Sequence, residues 1–413
     1  MEHILKATIL NMAVISTIWA GGYKIPEQSL NAMALGAAYV AHTTGADSAY
    51  YNPANMVFLN KRQYIEGGVT LAHLLSTTYR SIPPYSGKSK IENLVIPNLH
   101  YVSFPAENFR WGVSLTVPAG LTKRWETPFQ KLFAEEFTLK VLELSPSIAY
   151  RLSDTLSIGG GVRVIYSEGV VKSNGADISA ITGNPKLNLA RNMEGDTVAF
   201  GYNFALAYKP LPDIRFAVTY RSNIDLDEKG SAVLSAGGGI LYDGEASVSV
   251  PLPAALNIAI SRTWDETFTL EFNYERTFWS EYKTLDFEYG DTNIGPLKPV
   301  FDDPIAKNWR DTNTFRIGAT LVLNDITMMM GFAIDETPVS GKMIGFELPD
   351  SDAKIFSMGF RYQQTEQLSW GAAFLYDGKE PISLSLGENS RIPAGSFEEG
   401  GAFLTTVGVA YEF

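Results

Sequence analysis

The chain has 413 residues, no cysteine, 45% hydrophobic and 19% charged residues, and a formal net charge of −12. The missing thiols exclude a disulfide scaffold and Cys-ligated zinc or iron–sulfur centres, and the acidic balance argues against a nucleic-acid partner. A mean hydropathy of −0.02 excludes a bundle of transmembrane helices, each needing about 20 apolar residues, but leaves room for a membrane β-barrel, which dilutes its apolar residues by alternation.

In chain order, Met1 to Lys6 precede an apolar run over 7–20. That run is too short to span a bilayer and fits a secretory signal, 1–20, cut after Ala20. Residues 21–62 show no alternation: a small-residue stretch at 31–40, then Thr43 to Asp47, then Tyr50-Tyr51-Asn52-Pro53-Ala54-Asn55. Pro53 fixes one dihedral and forces Asn52 to be extended, giving a stiff turn whose amide is free to bond a neighbouring wall.

From residue 63 the period is two. Fourteen segments follow, near 63–74, 93–104, 109–117, 137–152, 156–171, 197–209, 214–226, 245–262, 268–283, 311–323, 326–335, 354–364, 368–378 and 401–413. Phe200, Tyr202, Phe204, Leu206 and Tyr208 alternate with Ala199, Gly201, Asn203, Ala205 and Ala207, and Phe403 to Phe413 repeat the pattern. A greasy aromatic face backed by small or polar residues is the polarity of a barrel whose outside meets lipid. Short turns alternate with long connections, among them 118–136, 172–196 and 227–244, which puts the short turns and both chain ends on the periplasmic side. Pro251 and Pro253 predict a bulge, kink or early end in the eighth strand. An ordered stretch such as 21–62, too short to be a domain, is then expected in the lumen as a plug.

Gly22-Tyr23 through Asp47 to Ala54, the Asn-Pro-Ala turn, Leu144 to Asp154, Pro251-Leu252-Pro253, Phe315 to Gly318, Gly331 to Val339 and the last strand together resemble the FadL-type outer-membrane transporters of long-chain fatty acids and other hydrophobic compounds. The resemblance spans essentially the whole mature chain. It implies an all-β fold, a 14-stranded antiparallel transmembrane barrel (63–413) with an N-terminal luminal hatch (21–62). It also implies ligand uptake at the external loops and sideways release through a kink in the third strand. Gly112, with Ser114 on the same inward face, is the expected gate; Gly112 serves equally as a small residue that makes room for the hatch. Asn52, Pro53 and Ala54 form the hatch motif.

Glu143, Arg163, Arg215, Arg221, Glu271, Glu275, Arg316, Asp335, Arg361 and Asp377 should point inward, mostly paired with one another, because an unpaired charge in a poorly hydrated lumen is costly. A fatty acid needs a cation for its carboxylate, and Arg163 and Arg316, with Arg310 at a loop edge, are the candidates. Where the resemblance implies a basic residue beyond Tyr166 the chain has Glu168, so hydrophobic ligands in general are expected, hydrocarbons included. A general diffusion porin is the rival reading, disfavoured by the extra residues before the first strand. No enzyme motif, metal-ligand spacing or cofactor fingerprint occurs: His42, His73 and His100 are far apart and neither a P-loop nor a nucleophile elbow is present. The expected partners are a hydrophobic small molecule, outer-membrane lipid around a monomer, and the barrel-assembly machinery, whose aromatic signal the terminal Phe413 resembles.

Overall fold

The computed structural model describes residues 21–290, 294 and 297–413; the expected signal, 1–20, lies outside them. The wall is built from β1 (Tyr64–Leu74), β2 (Glu92–Val102), β3 (Phe109–Arg124), β4 (Glu136–Arg151), β5 (Leu156–Asn174), β6 (Leu189–Leu211), β7 (Ile214–Arg221 and Ile224–Ala236), β8 (Gly239–Leu252 and Ala254–Trp264), β9 (Phe268–Phe278), β10 (Thr312–Leu323), β11 (Ile326–Asp335), β12 (Ala353–Gln363), β13 (Leu368–Lys379) and β14 (Ala402–Glu412). Consecutive strands pair antiparallel, and β14 pairs with β1 from Tyr64↔Glu412 to Leu74↔Ala402, so the fourteen strands close. Closure leaves no long edge to aggregate.

Polarity is inside-out. Phe200 and Phe204 are 68% and 62% exposed, while Arg163 and Arg316 are each 2% exposed. The expected outward faces of β6 and β14 are the exposed ones. Pro253 separates the two segments of β8, as a residue without an amide hydrogen should.

The external connections are shorter than alternation suggested, because several strands continue past the membrane band. β5 and β6 reduce 172–196 to a loop between Asn174 and Leu189 with two short helical turns. The stretch 227–244 is no open loop: its two arms pair from Ala232↔Gly244 to Ala236↔Gly239, and Gly237 and Gly238 turn the chain at φ of +61° and +84°. Ladder bonds formed above the bilayer need no apolar alternation, so strand ends there carry no lipid-facing signal.

Residues 21–62 lie inside the ring. Their helical turns, Leu30–Ala34, Ser48–Tyr51 and the 3-10 turn Pro53–Phe58, are almost wholly buried. Wall glycines admit them: a Cβ on Gly331 would sit 2.1 Å from the Leu35 carbonyl carbon, and one on Gly159 would sit 2.6 Å from the Ala54 nitrogen. The Asn52 amide does not reach the wall. It donates to Val40 O (2.9 Å) and accepts from Ala54 N (3.1 Å), because capping the turn that begins at Pro53 points it back into the luminal segment. The wall contact is made instead by Ser157 Oγ, donating to Ala54 O at 2.7 Å.

Three wall side chains grip this segment, two of them through its backbone. Glu271 accepts from the amides of Val40, Ala41 and His42. Arg110 donates to Met56 O, Leu59 O, Asn60 O and Arg62 O. Arg361 bonds Asn31 Oδ1 and Glu66. Hydrogen bonds to charged groups are worth about 1.5–3 kcal/mol each, so these grips outweigh the neutral contacts around them.

Candidate functional site

The junction of β2 and β3 departs from the rest of the wall. Only four partners pair there, from Leu99↔Leu115 to Val102↔Gly112. Above them β3 bends inward at a bulge: between Thr116↔Glu143 and Ala119↔Val141 it advances three residues while β4 advances two. The strands meet again at the top, where Lys90 N donates to Arg124 O (2.8 Å) and Arg124 pairs with Glu92. The result is a window in the wall, bounded above and below.

The first residues of the luminal segment fill the ladder positions that β2 vacates. Ile25 N donates to Pro118 O (2.9 Å), Gly120 N to Tyr23 O (3.0 Å), and Lys24 bridges Ala119. The Gln28 amide clasps Val117 at both backbone groups, 2.8 Å each way. Buried backbone groups demand partners, and this arm, residues 21–28, supplies them. Gln28 O also accepts a bond from His100, whose other ring nitrogen contacts Ser114 Oγ at 2.9 Å.

The irregularity lies at Val117-Pro118, not at Gly112, which pairs regularly with both neighbours. A Cβ at Gly112 would fall 2.7 Å from Ala49 Cβ and 2.8 Å from Met56 Sδ. Gly112 therefore makes room for the luminal segment. Ser114 is fully buried beside it and contacts His100.

Behind the window lies a cavity of about 540 Å³. Its lining includes lumen-facing Leu121, Leu139 and Leu375 and lipid-facing Val95, Leu142 and Tyr166. External loops roof the barrel beside it: Trp125 Nε1 donates to Phe346 O at 2.8 Å, and Phe346 packs edge-on against Tyr79 and Phe129. In the same roof Glu347 pairs with Lys307. Burial would raise that carboxyl, but Lys307 and Arg391 prevail and hold it at about 2.

The three arginines foreseen as carboxylate receptors lie elsewhere. Arg163 is clamped to Glu143 (2.9 Å), which also takes Arg221, and donates to Ser222 O. Arg316 faces Glu275 at 3.5 Å, which also holds Lys24 of the arm at 2.8 Å. Arg310 is an exposed loop residue that donates to Thr337 O at 3.1 Å. Arg163 and Arg316 line a separate pocket of about 70 Å³, too small for a long ligand.

The cations that line the large cavity are instead Lys24, Lys123, Lys140 and Lys379, and Lys123 falls in the stretch 118–136 that reads as a connection in the sequence. The bulge inserts one residue into β3, and a one-residue slip moves every later side chain to the other face. Beyond it Ala119, Leu121 and Lys123 face inward, opposite inward Val141, Leu139 and Phe137. Pro118 in mid-strand was the one available signal. Among the described residues no cluster of His, Cys, Asp and Glu could hold a metal ion.

The family model described as "Outer membrane protein transport protein (OMPP1/FadL/TodX)" matches residues 12–413. The chain is 25% identical over 451 aligned residues to the "Long-chain fatty acid transport protein" of Escherichia coli O6:H1, covering 99% of this chain and 98% of that protein. It is 23% identical to "Outer membrane protein P1" of Haemophilus influenzae, covering 86% of each. Among solved structures, a Pseudomonas aeruginosa FadL homologue superposes with a TM-score of 0.81 at 18% identity, covering 95% of this chain and 99% of that one. The Pseudomonas putida toluene transporter TodX gives 0.70 at 15% identity, with the same coverage. A match across nearly the whole chain, over a closed fourteen-strand wall, makes this protein a member of the OMPP1/FadL/TodX family of outer-membrane transport proteins.

Proposed function

We propose that the protein takes hydrophobic compounds into the cell envelope by way of the cavity, and releases them sideways through the β2–β3 window once the arm 21–28 shifts. The observation that supports this best is one cavity lined both by lumen-facing Leu139 and by lipid-facing Val95 and Leu142. Each CH₂ kept out of water is worth about 0.8 kcal/mol, so a route that passes from cavity to lipid spares a long apolar solute the aqueous periplasm. A through-pore has no use for a lumen packed by forty-odd residues. In this reading residues 21–62 are the hatch, and Asn52, Pro53 and Ala54 are its rigid turn against Gly159. Residues 1–20 direct export, and the outward aromatic face of β14 serves handover to the barrel-assembly machinery. The protein works as a monomer.

Arg163, Arg221 and Glu143 hold lumen and hatch together, and the gate is Val117-Pro118, with Gly112 and Ser114 seating the hatch below it. A Gram-negative host carrying the protein should take up labelled hexadecanoate or toluene faster than the empty host, and the protein should run faster on a gel unboiled than boiled. No acceleration of either compound would sink the proposal.

A further inference from the structure

We propose that the short-turn end of the lumen holds an anion site, built by Arg151 of β4, Lys209 of β6 and Arg215 of β7, that takes a phosphate group, free or on a lipid head. The site lies at the end of the barrel opposite the large cavity and faces the periplasm. Arg151 closes β4 just before the turn to β5, and Lys209 and Arg215 flank the turn from β6 to β7. Their neighbours Leu152, Tyr208 and Phe216 are exposed on the lipid side, so the three basic side chains point inward. Tyr208 pairs with Phe216 and Leu211 with Ile214, which sets two residues, Lys209 and Pro210, opposite Arg215 and brings the two cations side by side.

One ring of the luminal segment gathers two of them: the Lys209 ammonium lies 3.9 Å and the Arg151 guanidinium 5.7 Å from the centre of Phe58. Lys209 is within electrostatic reach of both arginines, and His42 of Lys209 and Arg215. Among the described residues neither Lys209 nor Arg215 joins an ion pair or donates a side-chain hydrogen bond, and Arg151 donates to Val57 O alone. Two further donors, Arg151 Nε and Ser261 Oγ, are buried without a partner, and Ser261 stands in register with Arg215. Like charges gathered in a partly desolvated space without a counter-charge are costly.

The acids at this end do not answer them. Asp213 is paired with Arg262 at 3.0 Å, and Asp154, Asp265 and Glu266 are exposed turn residues. Glu271 is the one acid that acts on Arg215, and its oxygens already accept the amides of Val40, Ala41 and His42; no acid acts on Lys209. One guanidinium saturates a carboxylate, whereas three cations from three strands call for more charge and more acceptor oxygens, and a phosphate has both. Bound there, it ties β4, β6 and β7 to the foot of the luminal segment at Phe58.

The test is titration of the purified full-length protein with inorganic phosphate and, separately, with dihexanoyl phosphatidylglycerol, in phosphate-free buffer at neutral pH, its folding checked by heat-modifiable gel mobility. At least one of the two should bind saturably and about tenfold or more tighter than chloride, in line with charge-assisted bonds. Lys209→Met and Arg215→Gln should each weaken that binding by about tenfold, and Lys209→Arg should keep it. Lys186→Met, which removes an exposed lysine from an external loop, should leave it unchanged. If Lys209→Met does not fold, Lys209→Gln reads the same loss. Binding of inorganic phosphate, lost in these variants, assigns the site to the free anion; binding of the lipid alone, lost in the same variants, assigns it to a head group. Binding of neither, binding unchanged in both variants, or equal loss in Lys186→Met overturns the site.

Discussion

Two seams of one sheet behave in opposite ways. At β14–β1 eleven residue pairs run the length of the strands, and at β2–β3 four do. Both seams face the luminal segment, but the first meets it by side-chain packing, such as Leu30 against Gly408 and Leu404, and stays a wall. At the second, Tyr23, Ile25 and Gln28 take over the hydrogen bonds that β2 would have made to β3. A gap in a lipid-facing sheet is tolerable when the freed backbone is satisfied from within. Wall and luminal segment are therefore coupled at this seam, and the arm cannot move without altering the window's edge.

Removing the luminal segment should have the largest effect on that contrast. Deleting residues 21–62 should turn a closed barrel into one with large, steady conductance in planar bilayers, and a porin-like current from the intact protein would show that the plug does not seal. Next is the window. Deleting Pro118 equalises the advance of β3 and β4, so the two seams should become alike, while Ala119, Leu121 and Lys123 keep their inward faces. Uptake of a long-chain compound should fall by about tenfold or more with gel mobility unchanged; undiminished uptake would place the exit elsewhere.

A smaller effect is expected from Gln28→Leu, which removes both bonds to Val117. At about 1 kcal/mol per bond, amide exchange at Val117 and Gly120 should quicken by roughly ten- to thirtyfold, with the β14–β1 seam unaffected. Equal quickening at both seams would mean that the arm stabilises the whole barrel rather than this edge.

The roof should answer to acid. Glu347 sits at about 2 against an ordinary 4.5, so it contributes stability that is complete above about 4.5 and is lost as pH falls through about 2. Fluorescence from the roof tryptophan Trp125 should change over that interval while far-ultraviolet dichroism of the wall holds steady. Glu347→Gln should remove the transition.

The sequence by itself determined the class of wall, the number of strands and which side chains meet lipid, because a lipid-facing strand must alternate and each apolar face is written in consecutive residues. Phe200 to Tyr208 and Phe403 to Phe413 needed no tertiary information. It also located the non-alternating stretch 21–62 and an interruption of the eighth strand at Pro251 or Pro253, of which Pro251 stays in the ladder and Pro253 breaks it.

Only the tertiary structure decided the site. Arg163 and Arg316 could be named as receptors because sequence shows that inward charges pair but not which meets which: the carboxylates beside them, Glu143 and Glu275, come from other strands whose register depends on closure. Gly112 reads equally as a kink or as room for the luminal segment, and sequence cannot choose because the Ala49 and Met56 side chains that its Cβ would strike lie far away in the chain. Lys123 was hidden because the third strand reads as ending at residue 117, where apolar alternation stops; the strand runs on to Arg124, and the bulge at Val117-Pro118, bonded to an arm nearly a hundred residues earlier, reverses inside and outside for the rest of β3.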